Sequence, residues 1–229
     1  MPGPIMWAVI ADFDGTIVKR DLAERALTKF GKPGWEHFDD LLRADKITVE
    51  ECVTRQYAMI AASSRREIAD YIDQFCEFRP GFDALLSECR AKGIDFTIVS
   101  AGLDFCIKHA FRKAGIKLPR LVCPKSAFIP NEGFGLVFPQ PHLPTSRDFK
   151  EDSVAYRQQQ GYNVIYVGDG MGDLYGAAKA DKLFAIKGSR LDNVCKERNI
   201  SHRAIDSFGS VERFVTRNSS TSYTKLDRM

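Results

Sequence analysis

Two aspartates two positions apart stand in the run Asp12-Phe13-Asp14-Gly15-Thr16, directly after the apolar hexamer Met6–Ala11. On an extended segment, residues i and i+2 point the same way, so both carboxylates can share one pocket. Two carboxylates in one pocket suit two jobs, a nucleophile and an acid/base. Gly15 permits a sharp turn and Thr16 adds a hydroxyl. The competing reading is an Asp-Gly turn that ends a strand, with Asp14 capping the next helix.

Three further groups could complete a phosphate site. Ser100 follows Thr97-Ile98-Val99 and precedes Ala101-Gly102. A hydroxyl beside backbone N–H groups at a helix start makes an anion cradle, although the same serine also reads as a plain helix cap. Lys150 opens a helical pattern and offers a compact point charge that can neutralise phosphate and carboxylate together. Taken singly, a lysine there is ordinarily a solvated surface residue. Gly168-Asp169-Gly170-Met171-Gly172-Asp173 supplies two more carboxylates, and Asp169 beside Asp12 would make a Mg2+ site completed by waters and phosphate. Its alternative is again a turn with helix caps.

The elements that must position these groups alternate along the chain. Short apolar runs at Met6–Ala11, 96–99, 121–123, 164–167 and 183–186 read as buried strands. Helical patterns fall at 80–92, 103–114, 148–160, 173–180 and 190–198, two of them closed by Lys92-Gly93 and Ala114-Gly115. This alternation predicts an α/β fold, a doubly wound parallel sheet that binds ligands outside the carboxyl ends of its strands. Residues 1–18 and 79–216 form the expected core. Residues 19–78 read as a small helical domain inserted after the first strand, with capping boxes at Thr48/Glu51 and Ser64/Glu67. Residues 125–144 read as a hairpin and loop. The Ser/Thr-rich stretch 217–229 reads as a disordered tail.

Composition narrows the function classes. With 44% hydrophobic and 28% charged residues, the chain reads as an ordinary globular protein. A net charge of +3 with Lys and Arg spread evenly argues against nucleic acid or a membrane surface as partner. The six cysteines include no CxxC pair, so no structural zinc site is expected. The apolar start is too short for a secretory signal, and a cytoplasmic location is expected. His142 reads as structural or exposed, and Trp35 and Phe38 read as interior of the insertion. Neither oligomeric state nor physiological substrate is written in the sequence.

Taken in order and by strand-end position, the four groups resemble the motifs of the haloacid dehalogenase-like superfamily. The resemblance implies that Asp12 attacks phosphorus and becomes a phospho-aspartate, while Asp14 protonates the leaving oxygen and then activates water. It implies that Asp12, Asp169 and the backbone carbonyl of Asp14 hold Mg2+, and that Asp173 supports the metal or orients Lys150. Thr16, Ser100, the Gly102 N–H and Lys150 would bind phosphoryl oxygens. The helical insertion resembles the cap of the phosphoserine-phosphatase-like branch, which restricts substrates to small phosphorylated metabolites.

Within that branch the chain is similar to the methionine-salvage phosphatases acting on 2-hydroxy-3-keto-5-methylthiopentenyl-1-phosphate. The similarity is carried by residues 12–17, Asp21, Arg55, residues 100–105, Pro141-His142, Lys150 and Ser153-Val154. Phosphoserine phosphatases usually carry Glu where Asp21 stands and Asn-Asp where Gly172-Asp173 stand. Some methionine-salvage relatives also have a cysteine-rich insertion that this chain lacks.

A phosphoserine phosphatase and a phosphotransferase remain alternatives. A receiver-like phospho-acceptor or a phosphate-binding module is the non-enzymatic one. The paired aspartates on the first strand, the large insertion and the complete motif set speak against the last two. Asp21 lies where the chain enters the insertion, and Arg55 shares a helix face with Cys52 and Met59. These two are expected to read the polar end of the substrate.

Overall fold

The computed structural model describes residues 5–60, 65–129 and 133–218. Its strands are β1 (Met6–Ala11), β2 (Asp95–Val99), β3 (Arg120–Val122), β4 (Lys125–Ile129), β5 (Gly133–Val137), β6 (Tyr162–Gly168), β7 (Lys182–Ile186) and β8 (Arg203–Ile205). Six of them form one parallel sheet in the order β3-β2-β1-β6-β7-β8, and β4 and β5 pair as a separate antiparallel hairpin. The doubly wound α/β sheet expected from the sequence is the fold observed. Residues 8–11 of β1 are all buried, as a strand covered on both faces requires, which is why its sequence is continuously apolar.

The strand order reverses at β1, whose neighbours are β2 on one side and β6 on the other. Such a switch point opens a crevice at the carboxyl edge of the sheet. Register brings the loops leaving these three strands to one level, because Ala11 lies opposite both Ile98 and Val167.

Between β1 and β2 the chain forms α1 (Leu22–Phe30), α2 (Glu36–Arg43), α3 (Val49–Tyr57) and α4 (Arg65–Ile72) before α5 (Phe82–Ala91) rejoins the core. It leaves and returns through adjacent segments, with Val18 bridged to Phe78 and the Lys19 N–H donating to the Glu77 carbonyl at 2.9 Å. The capping box at Thr48 and Glu51 is formed in both directions, each bond 3.1 Å. The box expected at Ser64 lies outside the described residues. The hairpin expected within 125–144 is β4–β5.

The remaining helices are α6 (Asp104–Ala114), α7 (Phe149–Gln159), α8 (Leu174–Lys179), α9 (Arg190–Glu197) and α10 (Gly209–Asn218). Neither β8 nor α10 is among the elements that the sequence patterns predict. Arg217 and Asn218, expected in the tail, instead close α10, which buries Val211 and Val215 at i and i+4. Residues 219–229 lie outside the described part. Among the described residues, no helix is long and apolar enough to cross a membrane.

Phe82 knits this core together. Its ring centroid lies 5.6 Å from Phe78, 5.8 Å from Phe96, 6.0 Å from Phe111 and 5.6 Å from Phe208. It thereby joins α5 to β2, α6 and the segment before α10. We expect Phe82→Ala to lose about 3–5 kcal/mol in urea unfolding, because the surrounding rings cannot all collapse into the space left. A loss below about 1 kcal/mol would show that the cluster does not hold the two halves of the sheet together.

Candidate active site

The loop after β1 is wound tightly. Asp12 N–H still donates to the Val167 carbonyl at 2.9 Å, and the Val18 N–H closes the turn on the Phe13 carbonyl at 3.0 Å. Gly15 sits at φ +70°, and a Cβ there would lie 2.3 Å from Asp169 Oδ2, so both backbone and space demand glycine. Arg79, just past the insertion, grips this loop from below. Its Nε donates to the Thr16 carbonyl at 2.8 Å and its Nη2 to the Gly15 carbonyl at 2.5 Å. Sequence reasoning missed Arg79, because its role is to hold backbone oxygens that no motif displays.

Lys150 reaches the same edge from α7, whose first turn Asp148 caps by accepting the Glu151 N–H at 2.7 Å. The Lys150 ammonium is buried and donates to Asp12 Oδ1 at 2.8 Å and to Asp173 Oδ1 at 2.7 Å. Asp173 accepts four bonds in all. Tyr166 OH joins Lys150 on Oδ1, and the Asp169 and Gly170 N–H groups bind Oδ2 at 3.0 and 2.9 Å. A carboxylate has about four lone-pair positions, so Asp173 is saturated and acts as a brace for Lys150 and the loop.

Carboxylate oxygens of Asp12, Asp169 and Asp173 lie within 4.8 Å of one another. With Asp173 committed, Asp12 and Asp169 remain as oxygen donors suited to a hard divalent cation. Thr16, expected at the phosphate, is instead fully buried and donates to Asp169 Oδ1 at 2.7 Å. It aims the carboxylate.

Burial dominates the electrostatics. It pushes the Asp12 carboxyl up to about 7, although Lys150 pulls the other way. Asp14 is raised well above the usual range by burial, then by Asp21 and Asp12, and Asp169 by burial, then by Asp12 and Asp173. Burial alone would lower Lys150, but Asp12 and Asp173 outweigh it and hold the ammonium charged. Several carboxylates compete for one cation, so the negative charge is in excess and the lysine is the firmly ionised partner.

A cavity of about 440 Å3 lies between the insertion and the sheet edge, with Asp12, Asp14, Ser100, Gly102, Lys150, Asp169 and Asp173 in its wall. Ser100 Oγ accepts the Gly102 N–H at 3.0 Å, and a Cβ on residue 102 would lie 2.5 Å from Asp14 Oδ2. Glycine there lets Asp14 lie against the cradle. Asp14 Oδ1 accepts the Leu22 N–H at 3.0 Å, from the first turn of α1. Asp21 caps that helix, accepting the Glu24 N–H at 2.7 Å, and is open to the cavity.

Arg55 is not brought to the cavity. The inward face of α3 is Val49, Cys52, Val53 and Gln56, a helical stripe that leaves Arg55 outside, exposed and 6.0 Å over the Phe38 ring. Trp35, expected as interior of the insertion, is buried and also faces the cavity. Asp39 lines it too and accepts the Gln56 Nε2 at 2.9 Å. Cys52 is kept a thiol, pushed up to about 12 by burial and then by Asp39. His142 stacks on Tyr156 with its Nδ1 2.9 Å from Asp152, away from the cavity wall.

The sequence profile of the haloacid dehalogenase-like hydrolases matches residues 9–178. The 2-hydroxy-3-keto-5-methylthiopentenyl-1-phosphate phosphatase of Brevibacillus brevis is 28% identical over 211 residues, covering 90% of this chain and 94% of that protein. The enzyme of the same name from Geobacillus kaustophilus is 28% identical over 210 residues, covering 89% and 92%. A phosphoserine phosphatase solved with a phospho-aspartyl intermediate analogue superposes with a TM-score of 0.65 at 14% identity, covering 93% of this chain and 99% of that one. A HAD family hydrolase from Salmonella enterica serovar Typhi gives 0.66 at 18%, covering 92% and 71%. At such identities the likeness to the solved structures is one of fold.

The raised carboxyls have a measurable consequence. Without a cation, folded Asp12 keeps a proton that an unfolded carboxyl near 4 has lost, so its stabilisation is full below about pH 4 and is lost as pH rises through about 7. We expect the melting temperature of cation-free protein to fall between about pH 5 and about pH 8, and the fall to shrink in Asp12→Asn and on adding Mg2+. A slope unchanged by both would mean that Asp12 is ionised throughout.

Proposed function

The chain belongs to the haloacid dehalogenase-like hydrolases and is a phosphatase of that kind; on this premise we infer that it is a Mg2+-dependent phosphomonoesterase working through a phospho-aspartate on Asp12. The observation that carries the reading is Lys150, buried between Asp12 and Asp173 beside Asp169, at the sheet's switch point. Phosphoryl transfer is mainly in-line positioning and neutralisation of equatorial charge, which this arrangement supports.

Asp12 Oδ1 is tied to Lys150, which leaves Oδ2 to attack. As that oxygen bonds to phosphorus, the ester P–O bond breaks and Asp14 gives its proton to the departing oxygen. Burial favours the protonated Asp14 this step needs, and the Leu22 N–H holds its other oxygen. Asp14, now ionised, takes a proton from water. The water oxygen bonds to phosphorus, the Asp12–phosphorus bond breaks, and inorganic phosphate leaves. Lys150, Ser100 and Gly102 line the cavity where the phosphoryl oxygens would lie, and the Gly102 N–H, bonded to Ser100 Oγ here, would have to turn to a phosphoryl oxygen on binding. Asp12 and Asp169, with the Asp14 carbonyl, would hold Mg2+, which would neutralise phosphate and carboxylate charge when bound.

The substrate is a small phosphorylated metabolite, and the enol-phosphate named for the relatives above is the reading best supported. Leu27, Trp35, Leu42 and Val53 give the cavity an apolar wall suited to a methylthioalkyl tail. Asp21 and Asp39 offer acceptors for its hydroxyl group, and Gln56 holds Asp39 in place by donating to it.

Asp12→Asn should lose at least about 10³-fold in kcat on an aryl phosphate while its melting curve stays cooperative; a variant that keeps most turnover would remove the phospho-aspartate from the mechanism. Asp14→Asn should injure alkyl phosphates roughly tenfold or more beyond nitrophenyl phosphate, since only the poor leaving group needs a proton. Equal losses would give Asp14 another role. In a panel of phosphorylated metabolites, kcat/KM should be highest for the methylthio enol-phosphate, and phosphoserine ahead of it would reverse the substrate assignment.

A further inference from the structure

Two carboxylates from different parts of the chain hold the first turn of α7. Glu50, on α3 of the insertion, accepts the Phe149 N–H through Oε1 at 2.8 Å. Asp148 accepts the Glu151 N–H through Oδ1 at 2.7 Å. Between those amides lies Lys150. Each carboxylate has a second oxygen, Glu50 Oε2 and Asp148 Oδ2, that is buried without a hydrogen-bond partner among the described residues. Asp148 as a whole is only 6% exposed.

If both groups were ionised, two desolvated acceptors would face a like charge with nothing to bind. One proton between them removes both faults, since the protonated carboxyl donates and the other accepts. Burial, and then the charge of Glu50, push the Asp148 carboxyl up to about 6 against the Glu151 N–H.

Most of the charged groups nearby are otherwise engaged. Lys150 is held by Asp12 and Asp173, Glu51 by the Thr48 N–H, and Glu151 by the Arg147 N–H. Arg147 lies 3.9 Å from Asp45 and over the Tyr175 ring, Tyr175 donates to Asp45, and Tyr166 donates to Asp173. Lys46 and Arg198 line the neighbouring groove with Asp148.

We propose that Glu50 is a positioning residue for Lys150, sharing one proton with Asp148 across the boundary between insertion and core and so tying closure of the insertion to the placement of Lys150. The proposal rests on the reading of Lys150 as the cation of the phosphate site. Below about pH 6 the bond is made; as Asp148 gives up its proton above that, the bond is lost and α3 is released from α7.

The test compares wild type, Glu50→Gln, Asp148→Asn and Glu50→Ala as full chains with Mg2+ and nitrophenyl phosphate. A carboxamide at either position accepts its helix N–H and donates to the other carboxylate at every pH. Glu50→Gln and Asp148→Asn should therefore match wild type in kcat/KM near about pH 5.5 and exceed it roughly fivefold near about pH 8. Glu50→Ala should fall roughly tenfold below wild type near about pH 5.5 and converge with it at high pH. Ratios flat across the range overturn the proposal.

Hydrogen exchange of the first-turn amides of α7 needs no turnover. After correction for intrinsic rates, protection should drop with rising pH in wild type and stay constant in Glu50→Gln. If wild type hydrolyses no phosphomonoester, the phosphatase reading fails while exchange still decides this one. If Glu50→Ala does not fold, the two carboxamide variants decide it.

Discussion

Everything at the carboxyl edge of the sheet depends on one buried ammonium. Lys150 is the cation against which Asp12 and Asp173 are packed, and Asp169 lies within the same few ångströms. Burying such a group is costly unless each charge is paired and the leftover lone pairs are satisfied. The structure meets that condition unevenly. Asp173 is saturated by four donors and is a structural anion. Asp12 and Asp169 are left short of donors, and burial drives both upward. A site in that state favours a divalent cation and an electrophilic phosphorus, because each relieves the excess negative charge that folding has concentrated there.

The insertion is part of this balance as much as a cover over it. Its first helix supplies the Leu22 N–H to Asp14, and its third supplies Glu50 to the turn carrying Lys150. Arg79, where the insertion ends, fixes the Gly15 and Thr16 carbonyls. Asp14 and the turn carrying Lys150 are thus each touched by the segment that also walls the cavity. Movement of that segment would be felt at the reacting atoms through hydrogen bonds a single residue away, with no need for a longer route.

Groups that chemistry confines to strand ends could be read from the sequence, because a buried parallel strand is an unbroken apolar run and the residue after its last apolar position must lie at the sheet edge. Asp12, Ser100 and Asp169 were legible in that way, and register aligns them. Lys150 was legible only through its company. Two things were not. Side chains that bind backbone, such as Arg79 on Gly15 and Thr16, leave no pattern of residue types. The rotation of a short helix is equally hidden when its apolar stripe is narrow. On α3 the residues at 49, 52, 53 and 56 turn inward, so Arg55 turns outward although Cys52 and Met59 flank it at helical spacing. Thr16 shows the same limit on a smaller scale, since the sequence names a hydroxyl and only the turn at Gly15 decides that it faces Asp169. The strand β8 is hidden for another reason: of Arg203, Ala204 and Ile205 only Ile205 is buried, so no apolar run marks it.

The outward turn of Arg55 bears on the substrate. On the insertion side the cavity wall carries Asp21, Glu24 and Asp39, and its basic group there, Arg43, is paired with Asp40. A substrate tail ending in a carboxylate would meet like charge on that wall. A neutral tail meets carboxylate acceptors that its hydroxyl can use, and a thioether meets Leu27, Trp35 and Val53. Repulsion of the wrong ligand contributes to selectivity as much as attraction of the right one. A phosphorylated metabolite whose tail carries no carboxylate, such as the enol-phosphate proposed above, avoids that repulsion.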